Sequence, residues 1–160
     1  MDNTVRALID LTGISEEDRL TLRNAADQTE QWADEFVKMF YDTLFAYPPT
    51  SALFREGERP EREKTIKDWY LQVVRGEFDD QFWSAHQHVG HVHVKRKILN
   101  AYMIGMMHNA QTFVLGKCLA TYEQEEGLKV FDAFKRVTDI AAGIIAEGYH
   151  TPWAVMKIGR

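Results

Sequence analysis

From Trp32 the chain sets a large apolar side chain at every fourth position, Trp32, Phe36, Phe40 and Leu44, with Val37, Tyr41 and Phe45 along the adjoining row. At 3.6 residues per turn these rows merge into one stripe, so the segment is predicted to be an amphipathic helix burying an aromatic face. It must end at Tyr47, because Pro48 and Pro49 cannot continue it. Upstream, Ser15 and Asp18 have capping-box spacing, and Glu16, Glu17 and Asp18 suit the positive end of a helix dipole. Downstream, Pro60 opens a helix with Ile66, Trp69, Tyr70 and Val73 on its buried face, stopped by Gly76. A further helix starts near Phe78. Residues 98–115 are apolar nearly all round, as in a helix buried on several sides. A last helix follows the loop 123–127 and reaches about Tyr149, before Pro152. No stretch alternates with period two for long, and there is no Gly-rich phosphate loop, Cys pair or Ser-centred nucleophile elbow. The expected fold is all-α: six or seven helices with short loops, a size suited to globin-like packing.

The 160 residues suit one domain. Residues 1–14 are expected to form a loosely docked N-terminal arm, 15–150 the domain and 151–160 a C-terminal tail. The lone Cys118 leaves no partner for an intrachain disulfide. Neither a signal peptide nor a membrane span is found, since no stretch approaches ~18 apolar residues. A cytoplasmic location is the expectation. A net charge of −5 argues against a nucleic-acid partner, and Lys95-Arg96-Lys97 is too short a basic run to overturn that. The apolar residues of the last helix, Val130, Phe131, Phe134, Val137, Ile140, Ala141, Ile144 and Ile145, span about half its circumference, wider than the ~100° stripe one core needs. The excess predicts a homodimer through the last two long helices.

Four of six histidines lie between His86 and His93. At ~100° per residue His86 and His93 fall within about 20° of each other, and His88 and His91 point to roughly the opposite side. The cluster is two pairs, not one four-ligand site. His86, His88 and His91 read as polar helix surface. His93 differs, because it ends its helix beside Val89, Val92 and Val94, just ahead of a methionine-rich helix. Such an imidazole could ligate haem iron while its apolar neighbours cover the porphyrin, or it could be a core histidine satisfied by a carbonyl. Spacing alone favours the second. Tyr41 could equally be a half-buried tyrosine bonded to backbone, and Met103, Met106 and Met107 suit core packing better than ligation. Zinc would need ligands that no Cys or His-Glu-x-x-His pattern supplies.

Val89-Gly90-His91-Val92-His93-Val94 resembles the [Ile/Val]-Gly-x-x-His-Val signature of sensor globins, the haem domains of globin-coupled sensors and their protoglobin relatives. In that family the signature histidine is the proximal iron ligand, a role the match gives to His93, with His91 a spacer. Phe40-Tyr41-Asp42-Thr43-Leu44 resembles the family's Phe-Tyr-Asp-x-Leu segment, whose tyrosine lies distal to the haem. Gly76-Glu77-Phe78-Asp79 resembles the Gly-x-[aromatic]-Asp turn before the proximal helix. Tyr102 and Gly105 fall where the family has an aromatic and a glycine opening the next helix. The ordered set covers roughly residues 12–150. Two departures stand out. Val94-Lys95-Arg96-Lys97-Ile98 lacks the proline many members have after the proximal histidine, and no output domain follows within this sequence, as in a single-domain sensor globin or an excised sensory domain.

The resemblance implies globin packing around haem b, with His93 holding the iron and Val89, Val92 and Tyr102 against the porphyrin. It implies an apolar wall of Phe45, Ile66 and Trp69, with Thr65 as a second polar contact beside Tyr41. Register does not choose between Thr65 and Ile66. The implied function is a sensor or carrier of a diatomic gas, oxygen first and nitric oxide or carbon monoxide next, signalling to a partner subunit or separate output protein. A haem enzyme turning over nitric oxide, peroxide or nitrite is the alternative, and a haem-free helical signalling module a third reading.

Overall fold

The computed structural model describes residues 2–150, so the tail expected at 151–160 lies outside the described residues. Eight α-helices are found there and no strand: α1 (Asn3–Thr12), α2 (Glu16–Thr29), α3 (Ala33–Ala46), α4 (Pro48–Ser51), α5 (Arg59–Val74), α6 (Asp80–Lys95), α7 (Asn100–Thr121) and α8 (Gln124–Gly148). None of these helices is long and apolar enough to cross a membrane. The aromatic-striped segment begins one turn later than its spacing suggests. Glu30–Trp32 form a 3₁₀ turn that joins α2 to α3 without an extended break, and no Gly or Pro in that stretch forces one.

Side chains near the helix ends fix how these helices meet. The Asp18 carboxylate accepts from the Ser15 backbone N–H at 2.9 Å and from Arg136 at 2.8 Å, so one group both caps α2 and ties it to α8. Arg19 donates to the carbonyls of Gly76 and Phe78 at 2.5 and 2.6 Å and lies 4.4 Å over the Phe78 ring, pinning the turn between α5 and α6 to α2. Gly76 has φ +70°, and a Cβ there would sit 2.9 Å from the Arg19 carbonyl, so both backbone and space demand glycine. In the core, Phe36 stacks on Tyr70 at 4.6 Å, and the Tyr70 hydroxyl donates to Thr29 O at 2.6 Å.

The proline-free connection after α6 closes by other means. Lys97 takes φ +62°, the Ile98 N–H donates to His93 O at 2.9 Å and the Lys97 N–H to Val94 O at 3.1 Å. This is Schellman-type capping, with lysine in the place glycine usually holds.

Two expectations change. The segment read as a loose arm contains α1, which packs on α8 with Val5 buried. The apolar half-circumference of α8 does not await a second subunit. Val130, Phe134, Val137, Ile140, Ala141, Ile144 and Ile145 are all buried within this one chain, because α8 is the central helix and meets α1, α2, α5, α6 and α7 at once.

Candidate functional site

The stripe on α3 brings Tyr41 inward, α5 brings Thr65, Ile66 and Trp69, α6 brings Val89, Val92 and His93, and α7 brings Tyr102. All eight side chains line one cavity of about 390 Å³, within the ~300–1,000 Å³ usual for small-molecule and cofactor sites. Thr65 and Ile66 both face it, so the two are not alternatives. Phe45 is not among the lining residues. It packs on Phe54 at 5.1 Å with the Arg59 guanidinium over its ring at 4.9 Å, and Phe54 takes the wall position instead. Met103, Met106 and Met107 also contribute to the wall.

His93 lies in the last turn of α6 with its ring edge-on to Tyr149, centroids 6.4 Å apart. Its Nδ1 is buried and accepts or donates no hydrogen bond among the described residues, so the core histidine satisfied by a carbonyl is not what is found. Burial, and then the nearby Arg96 charge, push its pKa down to about 4. The ring is therefore neutral near pH 7, the form in which imidazole binds a metal. Tyr41 is also buried, and burial pushes its pKa up to about 12, so its hydroxyl keeps its proton and remains a donor. No group among the described residues hydrogen-bonds that hydroxyl. The tyrosine bonded to backbone is thus not realised.

Polar residues that sequence reasoning passed over also line the cavity, among them His88, which the helical angle had set on the side opposite His93, and three with buried or half-buried groups. Arg62 has a buried Nε without a hydrogen bond, 3.9 Å from the Glu58 carboxylate, and pairs with Glu61 at 3.3 Å. Arg96, read as part of a surface basic run, pairs with Glu58 at 2.6 Å and donates to Leu53 O at 3.2 Å. His86, read as surface, is only 3% exposed; it accepts from the Trp69 indole N–H at 2.9 Å and contacts Phe82 O through Nδ1 at 2.8 Å. The signal for His86 was its place within about 20° of His93 on the helix. The arginines had none, because a cation at a cavity edge and one in water look alike in a sequence.

The donor set fits haem. Apolar and aromatic walls suit a porphyrin, the imidazole nitrogen without a hydrogen bond leaves His93 free of a structural bond there, and the guanidinium groups of Arg62, whose buried Nε makes no hydrogen bond, and Arg96 suit carboxylate side arms. By contrast, no cluster of three or more His, Cys, Asp or Glu that could hold a bare metal ion exists among the described residues.

Comparison with known proteins supports the architecture. The globin domain of the Geobacter sulfurreducens globin-coupled sensor superposes with a TM-score of 0.85 at 22% sequence identity, covering 91% of this chain and 97% of that one. No match is found among curated proteins. The fold is globin-like, and the protoglobin family model matches residues 1–152. Nearly the whole length is covered, and the chain belongs to the protoglobin family.

Proposed function

We propose that the protein binds haem b in this cavity and senses or carries a diatomic gas, with His93 as the proximal ligand and Tyr41 as the distal hydrogen-bond donor. The observation that carries the reading is the pairing of a neutral imidazole whose buried Nδ1 makes no hydrogen bond with a buried tyrosine that keeps its proton, both lining one largely apolar cavity. Haem, when bound, supplies an iron coordination position for the gas. The protein's own residues do the rest. Ile66, Trp69 and Phe54 exclude water, Arg62 and Arg96 neutralise the carboxylates, and Tyr41 favours a ligand that gathers negative charge. Turnover chemistry would need a group beside the ligand that exchanges protons; Tyr41, with its raised pKa, and His86, engaged at both nitrogens, are poorly suited, which leaves the exposed His88 as the lining imidazole that a turnover reading would have to use. Oxygen, which polarises more than carbon monoxide, is the gas such a site favours.

Tyr41→Phe tests this. A hydrogen bond to a charged group contributes about 1.5–3 kcal/mol, so oxygen release should quicken by roughly tenfold to a hundredfold at ~1.4 kcal/mol per decade. Carbon monoxide release should change far less. Stopped-flow measurement of both gases decides: equal effects would indicate altered access rather than a hydrogen bond.

A homodimer remains part of the proposal, through α7, one of the two last long helices expected to form it, and not through the α8 stripe. With the α8 stripe covered, the face of α7 carrying Ile104 and Leu119, each about half exposed, is the apolar surface on offer. Ile104→Asp combined with Leu119→Asp should convert dimer to monomer in sedimentation with the absorption spectrum unchanged. A native protein that sediments as a monomer at micromolar concentration would remove the dimer altogether.

A further inference from the structure

A second, open groove of about 740 Å³ follows the seam between α5 and α6, with Asp68, Gln72, Gln81 and Phe82 among its walls. It shares Thr65, Trp69, His86 and Val89 with the first cavity. Those four side chains are therefore a single layer separating the proposed gas site from an opening at the surface. The helices explain why the layer is thin. α5 packs along α3, α2 and α8, and α6 along α8, so side chains rather than helix packing close the seam between them.

The Trp69–His86 hydrogen bond spans that seam at 2.9 Å. Because Nε2 of His86 accepts from the indole, the imidazole proton must sit on Nδ1, where it is donated to Phe82 O at 2.8 Å. His86 is thus held at both nitrogens, is buried, and stands edge-on to the Phe82 ring at 4.5 Å. Trp69 is only partly buried and has one such tether. One partner is fixed by two hydrogen bonds, and the other is held by one and by stacking on Phe36 at 6.4 Å.

We infer that Trp69 is the gate of a route for a small apolar gas between the α5–α6 groove and the cavity, and that His86 is the positioning residue that holds this gate shut. The inference rests on the reading of the cavity as a gas site. Released from residue 86, the indole swings toward the groove and leaves only Thr65, Val89 and the side chain at 86 in the layer. The expected signature is faster passage in both directions with no change in the polarity of the site itself.

Flash photolysis of the carbon monoxide complex tests it, with His86→Leu to remove the acceptor, His86→Gln to restore one through its side-chain oxygen, and Trp69→Phe to remove the donor while keeping a ring. His86→Leu and Trp69→Phe should each speed bimolecular rebinding about two- to tenfold, the factor one neutral hydrogen bond is worth, and lower the geminate fraction. His86→Gln should return both toward the native values. A readout independent of gas binding is the exchange of the Trp69 indole proton with water in nitrogen-15 spectra, which His86→Leu should accelerate and His86→Gln should not. If indole exchange accelerates while rebinding and the geminate fraction stay native, the bond is structural and the gate is overturned. Native behaviour of Trp69→Phe in both measurements overturns it as well, and covers a His86→Leu protein that fails to fold. A purified protein with no Soret band overturns the gas reading and this inference with it, whereas a normal band with unchanged rebinding overturns this inference alone.

Discussion

His93→Ala protein should purify without the Soret band of the native protein, while His91→Ala should keep it nearly unchanged. The contrast comes from where α6 points the two rings. His93 lines the cavity and its Nδ1 is buried without a partner, whereas His91, two residues earlier, is not among the lining residues. Even an outer-sphere partner of a metal ligand is worth about 10–100-fold in affinity, so removal of the ligand should exceed that. Added imidazole offers a control, because a free ring occupying the space left by the side chain should restore the band in His93→Ala but have no effect on His91→Ala. Loss of the band in His91→Ala with retention in His93→Ala would sink the assignment.

The second large effect lies behind the site. At Gly90 a Cβ would fall 2.5 Å from Ile145 O and 3.0 Å from the Gly148 Cα, both backbone atoms that cannot rotate away. Gly90→Ala must therefore push α6 off α8. Overpacking of this kind commonly costs 1–3 kcal/mol and sometimes more, so we expect about 2–4 kcal/mol and, for a domain this size, a melting temperature lower by roughly 5–15 °C. Gly105→Ala on α7 is the control. Nothing lies within 4 Å of a Cβ there, and replacing a mid-helix glycine should stabilise by about 0.5–1 kcal/mol. The displacement also reaches His93. His93 stands three residues beyond Gly90, its carbonyl accepts from Ile98 N–H, and Ile98 O accepts from the Tyr149 hydroxyl at 2.6 Å. Denaturation of Gly90→Ala at native temperature would show that the two backbones do not touch as closely as described.

What the sequence could and could not reveal follows from which forces are local. The stripe from Phe36 to Leu44 forms a helix because apolar spacing and helix pitch agree within a few residues, and Pro48 ends it because a ring cannot fit the next turn. The capping box at Ser15 and the stop at Gly76 are equally local. His93 and Tyr41 were legible because their segments carry the sensor-globin pattern, and both do line one cavity.

Long-range packing decided the rest. The apolar breadth of α8 suggested a second subunit, since a sequence gives the width of a stripe but not the number of helices it meets, and α8 meets five within its own chain. Phe45 and Phe54 exchange roles for a similar reason: both are aromatic, and only the path of the chain between them determines which faces the cavity. His86 gave a helical angle but no partner, until α5 brought the Trp69 indole to 2.9 Å across 17 residues of sequence. Arg62 and Arg96 became site residues only when tertiary structure buried part of their length beside a cavity. By itself the sequence determined most helix cores, their caps and stops, and the segments that carry His93 and Tyr41, because those depend on neighbours a few positions away; the tertiary structure alone decided that the first segment folds as α1 and which faces are covered, because that depends on neighbours tens of positions away.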